Sequence, residues 1–282
     1  MNFKTAFHAA LLGAAIAASA TTHAQTYDVL VGNLGGRLNA GFFSHGGAPP
    51  AGGFGVDFLT GQNLYPANFG DFAGGASKTN DPGFQGFAGS LTPGSLLYAR
   101  GVGNLQYWSP GTTAWSAAPA GALVRLDGAV PTDIVTAYLF CQTGDEFLCD
   151  PALAAQYPQY EAGTRFSGTG VSGPNPAIID DASGNGSFHA HLDWAIENPA
   201  GLPASVSGAY LLTLQLESPG YQSSTPFKLL FNYGLNNTQF QQAFDSRVLA
   251  PLAPVSEPSS LAMMLAGLGL FAAWRGRSRR QA

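Results

Sequence analysis

Charge is scarce in this 282-residue chain: Asp, Glu, Lys and Arg make up 10% of it, against roughly 25% in an ordinary soluble domain. Basic residues are the scarcer sign, 12 Lys and Arg to 17 Asp and Glu, and Lys4, Arg275, Arg277, Arg279 and Arg280 lie at the two ends. Between Gln25 and Pro258 the balance is 7 basic against 17 acidic residues, or −10. Nucleic-acid binding demands a Lys/Arg-rich face to neutralise phosphates, so that class is excluded. An acidic body of this kind stays soluble outside a cell or attracts cations there. The sequence also lacks a GxSxG elbow, an HExxH pair and a GxxxxGK[ST] loop, and with them the local signatures of a serine hydrolase, a zincin and a phosphate cradle. No enzyme is expected. No repeat of fixed period runs through the chain, which argues against a solenoid or propeller.

In place of charge there are 37 Gly and 19 Pro, a composition of short strands joined by many turns. Ser207 to Glu217 alternates most cleanly: Tyr210, Leu212, Leu214 and Leu216 share one face, and Leu211, Thr213, Gln215 and Glu217 share the other, the pattern of a half-buried strand. Further strands are predicted at 26–34, 37–43, 55–59, 95–102, 105–108, 122–126, 133–140, 164–171, 187–194 and 226–233, punctuated by Gly/Pro/Asn/Asp clusters. Residues 46–89, rich in Gly, Ala and Phe, read as a long loop or a loosely packed β region. A short helix is predicted over Asn237 to Arg247, with Asn237 as its cap. The expected fold is mainly β, a β-sandwich or jelly-roll-like extracellular domain.

Both ends carry addresses. Lys4 precedes an apolar run from Ala6 to Ala20, followed by small residues to Ala24, the layout of a secretory signal peptide over 1–24. Cleavage is expected after Ala24, in preference to Ala20. The exported β-rich domain then spans 25–250. A Pro-rich linker follows over 251–258, then a C-terminal transmembrane helix with a basic tail over 259–282. The uncharged run from Ser259 to Trp274 holds 16 residues, short of the ~20 that cross a bilayer. Trp274 and snorkelling Arg275, Arg277, Arg279 and Arg280 extend its reach at the cytoplasmic interface.

The order of Val255, Ser256, Glu257 and Pro258, an apolar run and an arginine cluster resembles the PEP-CTERM sorting signal of Gram-negative bacteria, with Ser256 where that family usually shows Pro. The resemblance implies export by the Sec machinery and transient retention in the inner membrane. An exosortase would then cut near the motif and deliver the protein to the cell surface or extracellular matrix, where exopolysaccharide is a partner to expect. A C-terminal anchor that is never cut is the alternative reading.

Cys141 and Cys149 are the only cysteines. Exported and eight apart, they read as a disulfide stapling a loop after the 133–140 strand. The stretch Asp180 to Trp194, DDASGNGSFHAHLDW, is where chemistry is most legible. A strand over 187–194 would put His189, His191 and Asp193 on one face, neighbours ~6–7 Å apart. That is a workable zinc ligand set, with His45 a conceivable fourth; a solvated polar face is the alternative. The HxHxxW pattern followed by Gly208, Ala209 and Tyr210 also resembles a segment of bacterial surface-anchored proteins, some of them PEP-CTERM proteins linked to zinc-responsive regulation. Asp181, Ser183, Asn185 and Gly186 begin like a calcium loop, but Leu192 stands where the bidentate Glu belongs, so a β-turn explains them as well. Tyr107, Trp108 and Trp115 are either core aromatics or a carbohydrate-stacking platform. Three functions follow: a structural or interacting surface protein, a surface zinc binder, or a secreted carbohydrate-active protein.

Overall fold

Two glycines in left-handed conformation make the first hairpin turn among the described residues. The structure, a computed structural model, describes residues 27–44, 54–71, 74–144 and 147–248. Strand β1 (Tyr27–Leu34) turns into β2 (Arg37–Ser44) through Gly35 and Gly36, with φ of 59° and 82°, a two-residue hairpin turn that glycine enters without steric cost. The described part of 46–89 is β structure: β3 (Gly55–Val56), β4 (Asn63–Asn68), β5 (Lys78–Thr79) and β6 (Gly83–Gly86). Strand β7 (Leu96–Ser109) is one 14-residue strand where the sequence predicts two, and β8 (Ala114–Ala117) and β9 (Leu123–Asp127) follow it.

The predicted strand at 133–140 is instead helix α1 (Thr132–Thr143). Ile134 and Ala137 are its buried residues while Leu139 is exposed, a spacing of three that belongs to a helix face and not to a pleat. Pro131 precedes the helix, Asp133 sits in its first turn against the positive end of the dipole, and Gly144 closes it at φ 76°. Cys141 in the last turn is bonded to Cys149, so the expected disulfide is present but follows a helix. Short α2 (Pro151–Ala154) and α3 (Tyr157–Glu161) come next.

The predicted strand 164–171 is a hairpin of β10 (Thr164–Ser167) and β11 (Gly170–Ser172), and β12 (Ala177–Asp181) follows. Residues 187–194 divide into β13 (Phe188–Ala190) and β14 (Asp193–Glu197), which lie in different sheets. After β15 (Gly208–Glu217) and β16 (Phe227–Tyr233) comes α4 (Asn237–Asp245). Its cap is Asn236, not Asn237: the Asn236 side chain accepts from the Gln239 N–H and the Gln239 side chain accepts from the Asn236 N–H, a reciprocal capping box.

Among the described residues the strands form three sheets, ordered β13-β6-β1-β2, β11-β10-β9-β14-β5 and β12-β7-β15-β16-β4-β3, with β8 on β7. The protein is therefore mainly β, as its composition and alternation predict. One core takes Val29 and Phe84 from the first sheet, Leu126, Phe166 and Trp194 from the second, and Leu212, Leu214 and Phe231 from the third. A smaller core lies between the opposite face of the third sheet and α4, where Leu64, Trp108, Leu211 and Leu230 meet Phe240 and Phe244. This second layer explains why Leu211, on the predicted polar face of β15, is buried while Thr213 and Gln215 beyond the helix are half-exposed.

A buried ion triad closes the edge of that layer. Asp57 Oδ2 accepts from Lys228 Nζ at 2.8 Å and lies 2.9 Å from Arg247 Nη2, and Asp57 Oδ1 accepts from the Leu59 N–H at 2.9 Å. Arg247 Nη2 also donates to Gln106 Oε1 at 2.8 Å, and its guanidinium sits 5.0 Å from the centre of the Trp115 ring. Backbone contacts run alongside: Phe58 N–H donates to the Arg247 carbonyl at 2.9 Å, and Asp57 bridges Val248. No helix among the described residues is long and apolar enough to cross a membrane. The signal peptide 1–24, His45, the linker and motif residues 251–258 and the tail 259–282 lie outside the described residues.

Candidate functional site

Three neighbouring strands of the first sheet bring distant polar residues together. Strand β6 runs parallel to β1, with Gly83 beside Asp28, and β13 runs antiparallel to β6, with Ala190 opposite Phe84 and His189 opposite Gln85. The register carries His191, just past the end of β13, to the level of Gly83. Asp28, Gly83 and His191 thus form a row across the sheet, and Gly83 is the gap in the middle. A Cβ there would stand 2.5 Å from Asp28 Oδ1, 2.9 Å from His191 Cε1 and 2.9 Å from the Ala190 carbonyl oxygen, closer than side chains tolerate. The absent side chain lets a short carboxylate and a long imidazole meet across an intervening strand.

The contacts are tight. His189 Nε2 lies 3.0 Å from His191 Nε2 and 3.1 Å from Asp28 Oδ2, and His191 Nε2 lies 3.6 Å from Asp28 Oδ1. Asp28 is fully buried, His191 half-buried, and the His189 side chain 43% exposed, so the cluster is closed from below and open to solvent on the His189 side. On its far edge His191 Nδ1 is 3.0 Å from the Asn80 carbonyl oxygen and 3.4 Å from Asp81 Oδ1. A carbonyl only accepts, so Nδ1 carries hydrogen and the second nitrogen of a neutral His191 presents its lone pair to His189 and Asp28.

Trp194 completes the arrangement. Its indole Nε1–H donates to the Pro82 carbonyl at 3.4 Å, so His191 and Trp194 grip the segment 80–82 from either side of Asp81. This gives the HxHxxW pattern a physical content: one histidine faces solvent, the next locks a loop and turns inward, and the tryptophan fixes the same loop from the core. Asp81, first, pushes the His191 imidazole up to about 9, against burial and together with the Asn80 carbonyl and the Asp28 charge. With the imidazoles deprotonated, two ring nitrogens and a carboxylate offer lone pairs to one small volume. Chemically such a cluster holds a cation, either a proton or a metal ion.

Asp193 is not part of it. The chain leaves the first sheet after Ala190 and enters the second at Asp193, which pairs with Asp127 on β9; the carboxylate that meets the histidines is Asp28. The only sequence signal for Asp28 is that it stands as a lone charge in the apolar strand 27–34. The calcium-like segment forms a turn between β12 and β13: Asn185 Oδ1 accepts from Ser183 Oγ at 2.8 Å and from the Ser187 N–H at 3.0 Å, and Gly186 has φ 81°. The aromatics 107, 108 and 115 share no exposed face. Trp108 is buried in the smaller core, Trp115 donates to Ser246 Oγ at 2.8 Å, and Tyr107 packs on the opposite side against the main core.

A family model for the PEP-CTERM protein-sorting motif matches residues 254–280, the span that holds Val255, Ser256, Glu257, Pro258, Arg275, Arg277, Arg279 and Arg280. No curated protein and no solved structure matches the chain.

Proposed function

We propose, from the premise that residues 254–280 are a PEP-CTERM protein-sorting motif, that this protein is a non-enzymatic structural or interacting component of the bacterial cell surface or its extracellular matrix. The motif makes it an exported protein handled at the membrane by an exosortase and then displayed at the surface. The part that works there is the body described above. Its acidic balance, its disulfide and a core shared by three sheets suit a sandwich-like module stable outside the cell. Trp108 in the smaller core, Trp115 packed against it and Tyr107 against the main core support a packing role for these aromatics.

The sorting motif carries this reading, and the test is the covalent fate of the tail. Mass spectrometry of the protein recovered from the surface or medium should give a mature N-terminus near Gln25 and a C-terminus near Pro258. A surface-displayed chain continuing through Arg280 would refute exosortase release and leave a permanent anchor. Deleting 254–282 should send the body into the periplasm or medium without surface retention.

A further inference from the structure

We propose that Asp28, His189 and His191 form a three-ligand site for a divalent transition-metal ion of the zinc class, with a fourth position open to solvent. The site stands apart from the export reading, since it rests on the geometry of the body alone. For metal–ligand bonds of about 2.0–2.1 Å, tetrahedral geometry puts neighbouring ligand atoms about 3.3–3.4 Å apart. Here the two imidazole Nε2 atoms are 3.0 Å apart, Asp28 Oδ2 is 3.1 Å from that of His189 and Asp28 Oδ1 is 3.6 Å from that of His191. One ligand atom from each residue lies within 4.8 Å of the others, so an ion enters with small side-chain adjustments. Two imidazoles and one carboxylate favour zinc, cobalt, nickel or copper over magnesium or calcium, which prefer all-oxygen cages.

The surroundings are those of a ligand held for a metal. His191 Nδ1 is tied to the Asn80 carbonyl and faces Asp81, the outer contact that fixes tautomer and ring plane in metal-binding histidines. Gly83 leaves the space in which Asp28 and His191 approach each other across β6. Asp28 closes the buried side, and the His189 side chain, 43% exposed, leaves the solvent side accessible to a further donor. The ion would also cross-link β1 to the segment where the chain passes from the first sheet to the second.

The test uses the mature exported protein, stripped with EDTA and titrated with Zn²⁺ by calorimetry and with Co²⁺ by absorption. The expected result is one ion per chain and, with Co²⁺, the intense visible bands of a tetrahedral site. His189→Ala, at an exposed position that should leave folding intact, is expected to weaken binding at least about 100-fold. Asp81→Asn should weaken it about 10–100-fold through His191, and Asp193→Ala should leave it unchanged. Asp28→Asn tests the third ligand, and its metal-free melting curve separates lost binding from lost folding. No stoichiometric ion, binding indifferent to His189→Ala, or binding lost in Asp193→Ala overturns the proposal; the first result would mean that the cluster shares a proton only.

Discussion

Replacing Asp57 by Asn removes the one negative charge between two buried cations. Asp57 is fully buried and Lys228 and Arg247 nearly so, and the three share contacts of 2.8 and 2.9 Å. Removing one partner of a buried ion pair costs about 3–5 kcal/mol, because the remaining charge has neither water nor a counter-ion. Two cations then face each other, and relief comes by deprotonating Lys228, whose ammonium burial already pushes below its usual range. For a body of this size 1 kcal/mol moves Tm by about 2–4 °C, so the variant should melt about 6–20 °C below the parent at pH 7. The measurement is thermal unfolding by circular dichroism, completed as a double-mutant cycle with Lys228→Met. Lys228→Met alone should also destabilise, but in the Asp57→Asn background it should restore stability, giving a coupling of about 1–3 kcal/mol. An Asp57→Asn variant that melts within about 2 °C of the parent, or strictly additive effects, would refute the reasoning.

Burial pushes the Asp71 carboxyl up to about 6, with Thr79 opposing and the Asp81 charge adding. A raised carboxyl stabilises the fold below its unfolded value near 4 and loses that contribution as pH rises through 6. Asp71→Asn should therefore gain stability above pH 6, by at most about 3 kcal/mol, and flatten the fall in Tm between pH 4 and 7; a parallel pH profile would contradict this. Asp57 has the opposite sign: its carboxyl is held below the usual range, Lys228 and Arg247 outweighing burial. Its contribution is present above pH 4 and lost in acid, so the Asp57→Asn deficit should shrink as pH falls below about 4. Gly83→Ala should cost about 1–3 kcal/mol by overpacking, because its new Cβ meets the Ala190 carbonyl oxygen at 2.9 Å as well as movable side chains; an unchanged Tm would show that the row across β1, β6 and β13 is loose. Cys141→Ser should lose about 2–3 kcal/mol with the short closed loop, a loss reproduced in the parent by reductant and absent if the bridge contributes nothing.

The parts of this fold that are local in sequence are legible there. The alternation of β15 marks its buried face, and the Asn236…Gln239 pair encodes the α4 cap, although the neighbouring Asn237 competes for it on composition alone. What depends on pairing at a distance is hidden. Gly103 looks like a strand breaker, yet β7 continues through it because β15 pairs with the strand on both sides, the register slipping between Leu211 and Thr213. The His-x-His pair is visible as two residues with period 2, and continuing that period selects Asp193. The chain changes sheets at that point, and the parallel pairing of β6 with β1 supplies Asp28 instead. No local pattern announces a crossover between sheets or a partner so far upstream. The sorting tail is the reverse case, readable because its information is linear order.

The clasp between Asp57 and the end of α4 has a mechanical meaning. Any tension along the C-terminus that reaches Val248, the last described residue on that side, loads this clasp. It meets first the Asp57–Val248 bridge and the Phe58-to-Arg247 hydrogen bond, then the triad that welds Arg247 to Lys228 within the third sheet. A pull on the tail is thus handed to a central strand before it can peel α4 from its groove. Such an arrangement suits a body that is held by its end.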